Sequence, residues 1–278
     1  MGALALALVL FCYLPRAGAG TQPGDEGGGG REREAAAAAL RESVKRIRLM
    51  NSSPNDNASA FYGINQFSHL FPEEFKGAAQ TLFQQCGGCW AFSVVGGIES
   101  AYAIKGNNLE ELSVQQVIDC SYNNYGCSGG STISALSWLN QTKVKLVRDS
   151  EYSFKAQTGL CHYFHRSDFG VSIAGFAAYD FSGQEEEMIR MLVNRGPLAV
   201  TVDAVSWQDY LGGIIQYHCS SGKANHAVLI TGFDRTGSIP YWIVQNSWGR
   251  TWGIDGYVRV KIGSNVCGIA DTVSSVFV

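Results

Sequence analysis

Three side chains in this sequence form a nucleophile, a base and a group able to orient the base. Cys89 stands directly before Trp90, and residues 90–104 (WAFSVVGGIESAYAI) are apolar all round a helix with few charges, so they read as a buried helix starting near Cys89. The first-turn N–H groups of such a helix lack intrahelical partners, and with the helix dipole they favour negative charge. The sequence therefore predicts a Cys89 thiol of lowered pKa, a competent nucleophile for acyl transfer. Acyl transfer also needs a proton carrier for the leaving amine, which points to histidine.

His162 and His165 lie in a polar loop beside Cys161, His218 precedes Cys219, and His69 falls in the N-terminal part. His226 differs, because Ala224, Asn225 and Ala227 flank it with small side chains at the head of an apolar strand, where an imidazole can face a cleft. Taken alone, His226 reads more readily as a structural histidine. Asn246, which opens Asn-Ser-Trp-Gly at the end of the next strand, shifts that balance. Its amide can accept the imidazole N–H and set the ring's tautomer and plane, while Trp248 keeps water off that bond.

The elements that must hold these residues can be read from the pattern. Residues 113–119 (SVQQVID) and 131–140 offer further helices with Ser113 and Ser131 as N-caps, and a helix over 183–194 is ended by Gly196 and Pro197. β-Rich runs follow at 198–203, 227–231, 241–245 and 256–261, separated by Gly, Pro and Asp turns. Helices first and antiparallel strands second predict an α+β protein of two lobes with a cleft between them. Residues 24–39, with their glycine and alanine runs, read as a low-complexity flexible lead into one amphipathic helix through Leu40, Val44, Ile47 and Arg48.

Composition narrows the class. At 46% hydrophobic and 12% aromatic residues over 278 positions, the chain is globular, which excludes collagen-like, coiled-coil and wholly disordered proteins. Its net charge of −3 lacks the basic excess that nucleic acid or an anionic membrane would require. An apolar run over 3–14 followed by small residues 17–20 reads as a signal peptide over 1–20, though it has no basic n-region. No later run is apolar enough to span a bilayer. Of the eight cysteines, Cys12 lies in that signal, and the seven remaining leave at least one thiol outside intrachain pairs. Asn51, Asn57 and Asn140 begin glycosylation sequons. A zinc module is a competing reading, since Cys86 and Cys89 have ligand spacing and Cys161-His162 lies downstream; no second paired motif supports it, so no metal or cofactor is expected.

Gln84-Gln-Cys-Gly-Gly-Cys-Trp90, Cys127-Ser-Gly-Gly130, Asn225-His-Ala227 and Asn246-Ser-Trp-Gly249 together resemble the papain family of cysteine proteases, over nearly all of residues 84–278. Residues 61–67 (FYGINQF) resemble that family's propeptide motif. The resemblance implies a papain-like two-lobed fold, with a helical lobe (84–175) and an antiparallel, β-barrel-like lobe (176–278) behind a shortened propeptide region (21–83). It implies Cys89 as nucleophile, His226 as general acid/base, Asn246 as orienter and Trp248 as its shield. It implies that the Cys89 backbone N–H and a glutamine side chain hold the oxyanion. The family glutamine stands six residues before the cysteine, where this chain has Phe83, so Gln84 is assigned and Gln85 is the alternative.

The resemblance further implies three disulfides, Cys86–Cys127, Cys120–Cys161 and Cys219–Cys267, with Cys89 free. It places substrate binding beside Gly129 and Gly130, lined by Ser131, Thr132, Asn225 and Thr272, and an apolar preference next to the cleaved residue. Protein or peptide substrates, cystatin-type inhibitors, a monomeric state and transit of the secretory pathway to the lysosome, with extracellular release as another destination, follow in the same way. The chain departs from the pattern in two places. Gly88 replaces a serine or alanine, a change small enough to be harmless. Only sixteen residues separate Phe67 from Gln84, so the processing site and a segment that crosses the lobe interface are lacking, which would leave a strand edge unpaired and the lobe contact weakened. A truncated, catalytically incompetent protein that only binds peptides or inhibitors is therefore the alternative to an active endopeptidase.

Overall fold

The computed structural model describes residues 28–52, 59–78, 86–162, 169–217, 219 and 223–278. The first helix, α1 (Gly28–Asn51), corrects the expected flexible lead, because the helix already runs from Gly28 through the alanines. Ala, Glu and Arg are among the strongest helix formers, and Ala39, Ser43 and Met50 then bury one face of it. Strand β1 (Phe61–Tyr62) and helix α2 (Pro72–Ala78) follow, the latter with proline at its first position and Glu74 accepting from the Phe71 N–H at 2.8 Å.

Helices α3 (Cys89–Ile104), α4 (Val114–Cys120) and α5 (Thr132–Thr142) match the sequence reading. Ser113 Oγ accepts from Gln116 N and Ser131 Oγ from Ser134 N, so both caps form. These helices enclose a core that includes Trp90, Val94, Ile98, Ile118, Leu136 and Trp138. α3 is apolar on most sides because most of it is buried between the helical core and the strands, where Ser93 Oγ donates to Val228 O at 2.7 Å. A Cβ at Gly96 would approach Leu229 Cδ2 to 3.2 Å, which explains the small residue there.

The second half supplies β2 (Gly175–Tyr179), α6 (Glu185–Arg195), β3 (Leu198–Val202), β4 (Tyr210–Gly212), β5 (Ile214–Ile215), β6 (His226–Asp234), β7 (Tyr241–Gln245), β8 (Tyr257–Lys261) and β9 (Val273–Phe277). Seven of them form a sheet in the order β2-β9-β3-β6-β7-β8-β5, antiparallel except for the β5–β8 pair. The strands at its two ends do not pair with each other, so the sheet is open and the barrel-like expectation is corrected to an α+β fold without a closed barrel. Its twist curls it around a core of Val200, Ile230, Trp242, Val244 and Val258. No helix among the described residues is long and apolar enough to cross a membrane.

The N-terminal elements dock on this lobe. Met50, Tyr62, Phe67 and Phe75 join the strand-lobe core, and β1 pairs with β4. Gln208 Nε2 donates to Phe67 O and Leu70 O, and Asn65 Nδ2 donates to Gln208 O. At the centre, fully buried Asp209 is paired with Arg46 of α1 (2.6 Å) and accepts from Ser68 Oγ (3.0 Å). Asn51 holds Tyr62 at two points, accepting from its N–H and donating from Nδ2 to its carbonyl. The Asn51 side chain, a sequon position, is thus engaged with the backbone of Tyr62. Asn57 lies outside the described residues, and Asn140 sits on α5 with Oδ1 accepting from Lys143 Nζ.

Candidate active site

Cys89 opens α3 and is the one free cysteine among the described residues. Cys86–Cys127, Cys120–Cys161 and Cys219–Cys267 are all bridged. The first bridge, with Gly87 N–H donating to Cys127 O at 2.7 Å, fixes the turn that presents Cys89. A side chain at Gly88 would stand 2.9 Å from Ile118 Cδ1, so the glycine relieves a contact with the end of a flexible residue.

His226 begins β6 opposite Val202 of β3, and Asn246 follows β7, the strand paired with β6 on its other side. Adjacent strands thereby carry residues twenty positions apart to within one hydrogen bond: His226 Nε2 lies 2.7 Å from Asn246 Oδ1. An amide oxygen can only accept, so Nε2 carries the hydrogen and Nδ1 is left as the basic nitrogen. Nδ1 is buried and has no partner, and His226 and Cys89 line one cavity of about 180 Å³. Trp248 stacks on the imidazole with ring centroids 4.7 Å apart, so the indole covers one face of the ring. Phe75 and Trp252 meet Trp248 edge-on at 5.2 and 4.8 Å, and Phe67 at 5.8 Å. This aromatic support escaped the sequence reading; the spacing of Trp248 and Trp252 was the only local hint, and Phe75 comes from the far N-terminal part.

Electrostatics overturn one expectation. Burial pushes the Cys89 thiol up, and the lowering by backbone hydrogen bonds to Ala227, Trp90 and Cys89 itself does not reverse it. The helix N-terminus therefore does not by itself make a thiolate, because desolvation of the charge outweighs it. Burial likewise lowers His226 to about 4, against the opposing effect of the hydrogen bond that Nε2 donates to Asn246. Burial thus holds each group, taken alone, toward its neutral form.

The other described histidines, His69 and His162, are exposed, while His165 and His218 lie outside the described residues. Gln84 and Gln85 also lie outside them. Gly129, Gly130, Thr132 and Asn225 line the cavity with Cys89 and His226. Gly130 has to be glycine, since a Cβ would meet the Trp90 ring at 2.7 Å. The Asn225 side chain is engaged within the protein, donating to Asp203 Oδ1 and accepting from Ala204 N. Ser131 Oγ caps α5, and Thr272 adjoins β3 through its carbonyl, which accepts from Thr201 N–H. Among the described residues no group of three or more His, Cys, Asp or Glu is arranged to hold a metal, and the Cys86–Cys127 bridge removes one of the ligands the zinc reading required.

The lowered His226 predicts a pH effect on stability. In the folded protein His226 stays neutral down to about pH 4, whereas in the unfolded chain it binds a proton near its ordinary 6.5. The unfolded state thus binds more protons between these values, and stability falls as pH drops through that window. Near pH 4.5 the loss from this group is on the order of 2 kcal/mol. Urea unfolding at pH 6.5 and 4.5 should show a smaller drop in His226→Gln than in the parent; equal drops in both would refute the assignment.

The comparisons with known proteins agree with this geometry. The model for "Papain family cysteine protease" matches residues 78–277. Cathepsin O of Homo sapiens is 63% identical over 280 positions, covering 87% of this chain and 87% of that protein; cathepsin O of Mus musculus is 57% identical, covering 87% and 89%. The human alignment is longer than the share of this chain it uses, so the relative carries residues within the matched region that this chain lacks. Among solved structures, digestive procathepsin L 3 from the larval midgut of Tenebrio molitor superposes with a TM-score of 0.79 at 28% identity, covering 93% of this chain and 95% of that one.

Proposed function

The chain belongs to the papain family of cysteine proteases, and from that premise we propose that it hydrolyses internal peptide bonds of proteins through an acyl-enzyme on Cys89. His226 Nδ1 takes the Sγ proton as the thiolate attacks the substrate carbonyl carbon, so thiolate and imidazolium arise together. The developing oxyanion is held by the Cys89 backbone N–H and the Gln84 side chain. On collapse the C–N bond breaks and His226 returns the proton to the leaving amine. Water then attacks the thioester with His226 again as base, which releases the acid and restores the thiol. The carrying observation is the buried, unpartnered Nδ1 of His226, whose other nitrogen is tied to Asn246, in one cavity with Cys89.

The protein acts on extended peptides laid along Gly129 and Gly130, is a target of cystatin-type inhibitors, works as a monomer, and travels the secretory pathway to the lysosome. The apolar run 3–14 and the disulfides support that route. The alternative of an incompetent binder is not favoured, because the nucleophile, base and orienter are assembled in spite of the short connection before Cys86.

An epoxide that alkylates activated papain-type thiols tests the proposal on the purified chain at mildly acidic pH. Labelling should be stoichiometric and confined to Cys89. A soluble, fully bridged protein that takes up no label would overturn it.

A further inference from the structure

The helix that carries the nucleophile and the strand that carries the base belong to different halves of the fold, and they meet directly. Positions 89, 93 and 96 recur on one face of α3 at helical spacing. They meet three consecutive residues of β6: the Ala227 backbone hydrogen-bonds the Cys89 thiol, Ser93 Oγ donates to Val228 O at 2.7 Å, and Gly96 lies against Leu229, whose Cδ2 would stand 3.2 Å from a Cβ there. The first contact uses the reacting sulfur and the third is apolar. Of the three, Ser93 therefore supplies the directional bond that the reaction leaves unchanged. A serine inside a helix commonly donates to the carbonyl four residues back, as Ser100 does to Gly96 O at 2.7 Å. Ser93 sends its hydroxyl across to the strand instead. It is 3% exposed, so water does not compete for that bond.

We propose that Ser93 is a positioning residue for peptide hydrolysis: its bond to Val228 holds α3 against β6 in the register that keeps the Cys89 sulfur in one cavity with His226. Ser93 lies one helical turn beyond Cys89, and Val228 two residues beyond His226 on the same strand, so the bond ties the two carriers close to the reacting pair. The attraction between a thiolate and an imidazolium falls with their separation, and proton transfer from sulfur to nitrogen needs the two atoms within reach. Sliding α3 along β6 weakens both. The described lining of the Cys89 cavity holds no titratable group besides Cys89 and His226, so their mutual placement governs its ionisation. Ser93 touches neither substrate nor the proton in flight; it acts through the two residues that do.

The inference rests on the peptidase reading, and the rate at which a neutral haloacetamide alkylates Cys89, followed from mildly acidic to alkaline pH, tests it without relying on hydrolysis. Ser93→Ala removes one oxygen and favours the helix, so the fold should hold, as circular dichroism would verify. At mildly acidic pH, where the thiolate exists as the partner of the imidazolium, the variant should react about tenfold more slowly than the parent, the size expected for a sub-ångström misplacement. At alkaline pH the thiol ionises by itself, and the two rates should converge. kcat for peptide hydrolysis should fall by a similar factor with KM unchanged, because Gly129 and Gly130 are untouched. Ser100→Ala, which removes a hydroxyl bonded within α3, should behave as the parent. Superimposable alkylation profiles for parent and Ser93→Ala, a rate lowered equally at every pH, or a change of the same size in Ser100→Ala would each overturn the proposal while leaving the peptidase reading intact. A parent without thiolate reactivity at acidic pH would overturn the peptidase reading and this proposal with it.

Discussion

Cys89→Ala should lower kcat for peptide hydrolysis by roughly 10⁴- to 10⁶-fold, the range seen when a covalent nucleophile is removed from its constellation. The fold should be unaffected, because Cys89 is partly exposed, is the free cysteine among the described residues, and begins a helix whose core contacts come from Trp90, Val94 and Ile98. Asn246→Ala is the informative contrast. It removes the acceptor that sets the imidazole's tautomer and plane at 2.7 Å but leaves the proton carrier in place, so the loss should be smaller, on the order of 10²-fold. Steady-state kinetics on both variants, with circular dichroism to verify folding, decide the matter. Turnover by Cys89→Ala near the parent rate would remove Cys89 from the mechanism.

The largest stability effect is expected at Arg46. Arg46→Met leaves Asp209, with no exposed side-chain surface, holding a buried charge and only the Ser68 hydroxyl as side-chain partner. Breaking a buried pair from one side costs about 3–5 kcal/mol. Burial already pushes the Asp209 carboxyl up, and Arg46 supplies the strongest opposing influence, so the variant's carboxyl must rise further. Its folded form then takes up a proton at a pH where the unfolded chain remains ionised. The deficit is accordingly greatest at neutral pH and shrinks as pH falls through the raised value. Urea midpoints at pH 7 and pH 5 should show the gap between parent and variant narrowing at the lower pH; a constant gap would mean that Asp209 is not the group left stranded. The effect should also reach the docking of β1 and α2, since Gly63 N–H donates to Asp209 O.

Much of this protein is local in origin and was therefore legible without coordinates. Ser113 and Ser131 cap helices because a hydroxyl two or three residues from a free N–H needs nothing distant. The alternation and β-branched content of 198–202 and 257–261 made strands evident, and an all-round apolar 90–104 could only be a buried helix. The motifs around Cys89, His226 and Asn246 announced the chemistry by residue type. Where the local signal misled, a distant partner was the cause. The alanine run became helix with Ala39 buried, and Asn51 became a clamp for Tyr62.

Other features belong to the tertiary structure alone. The 2.7 Å contact between His226 and Asn246 depends on the register of β6 against β7, which a one-residue slip would turn to the opposite face. The reversal at Cys89 follows from how far the lobes desolvate it, a quantity that the residues around it in the chain do not contain. Asp209 and Arg46 become a pair only when α1 docks across 163 positions. The sequence by itself determined which groups exist, which elements carry them and what reaction their types allow. Distances, burial and therefore protonation were decided by the packed lobes, because charge energies depend on the surrounding medium and on separations set by contacts far along the chain.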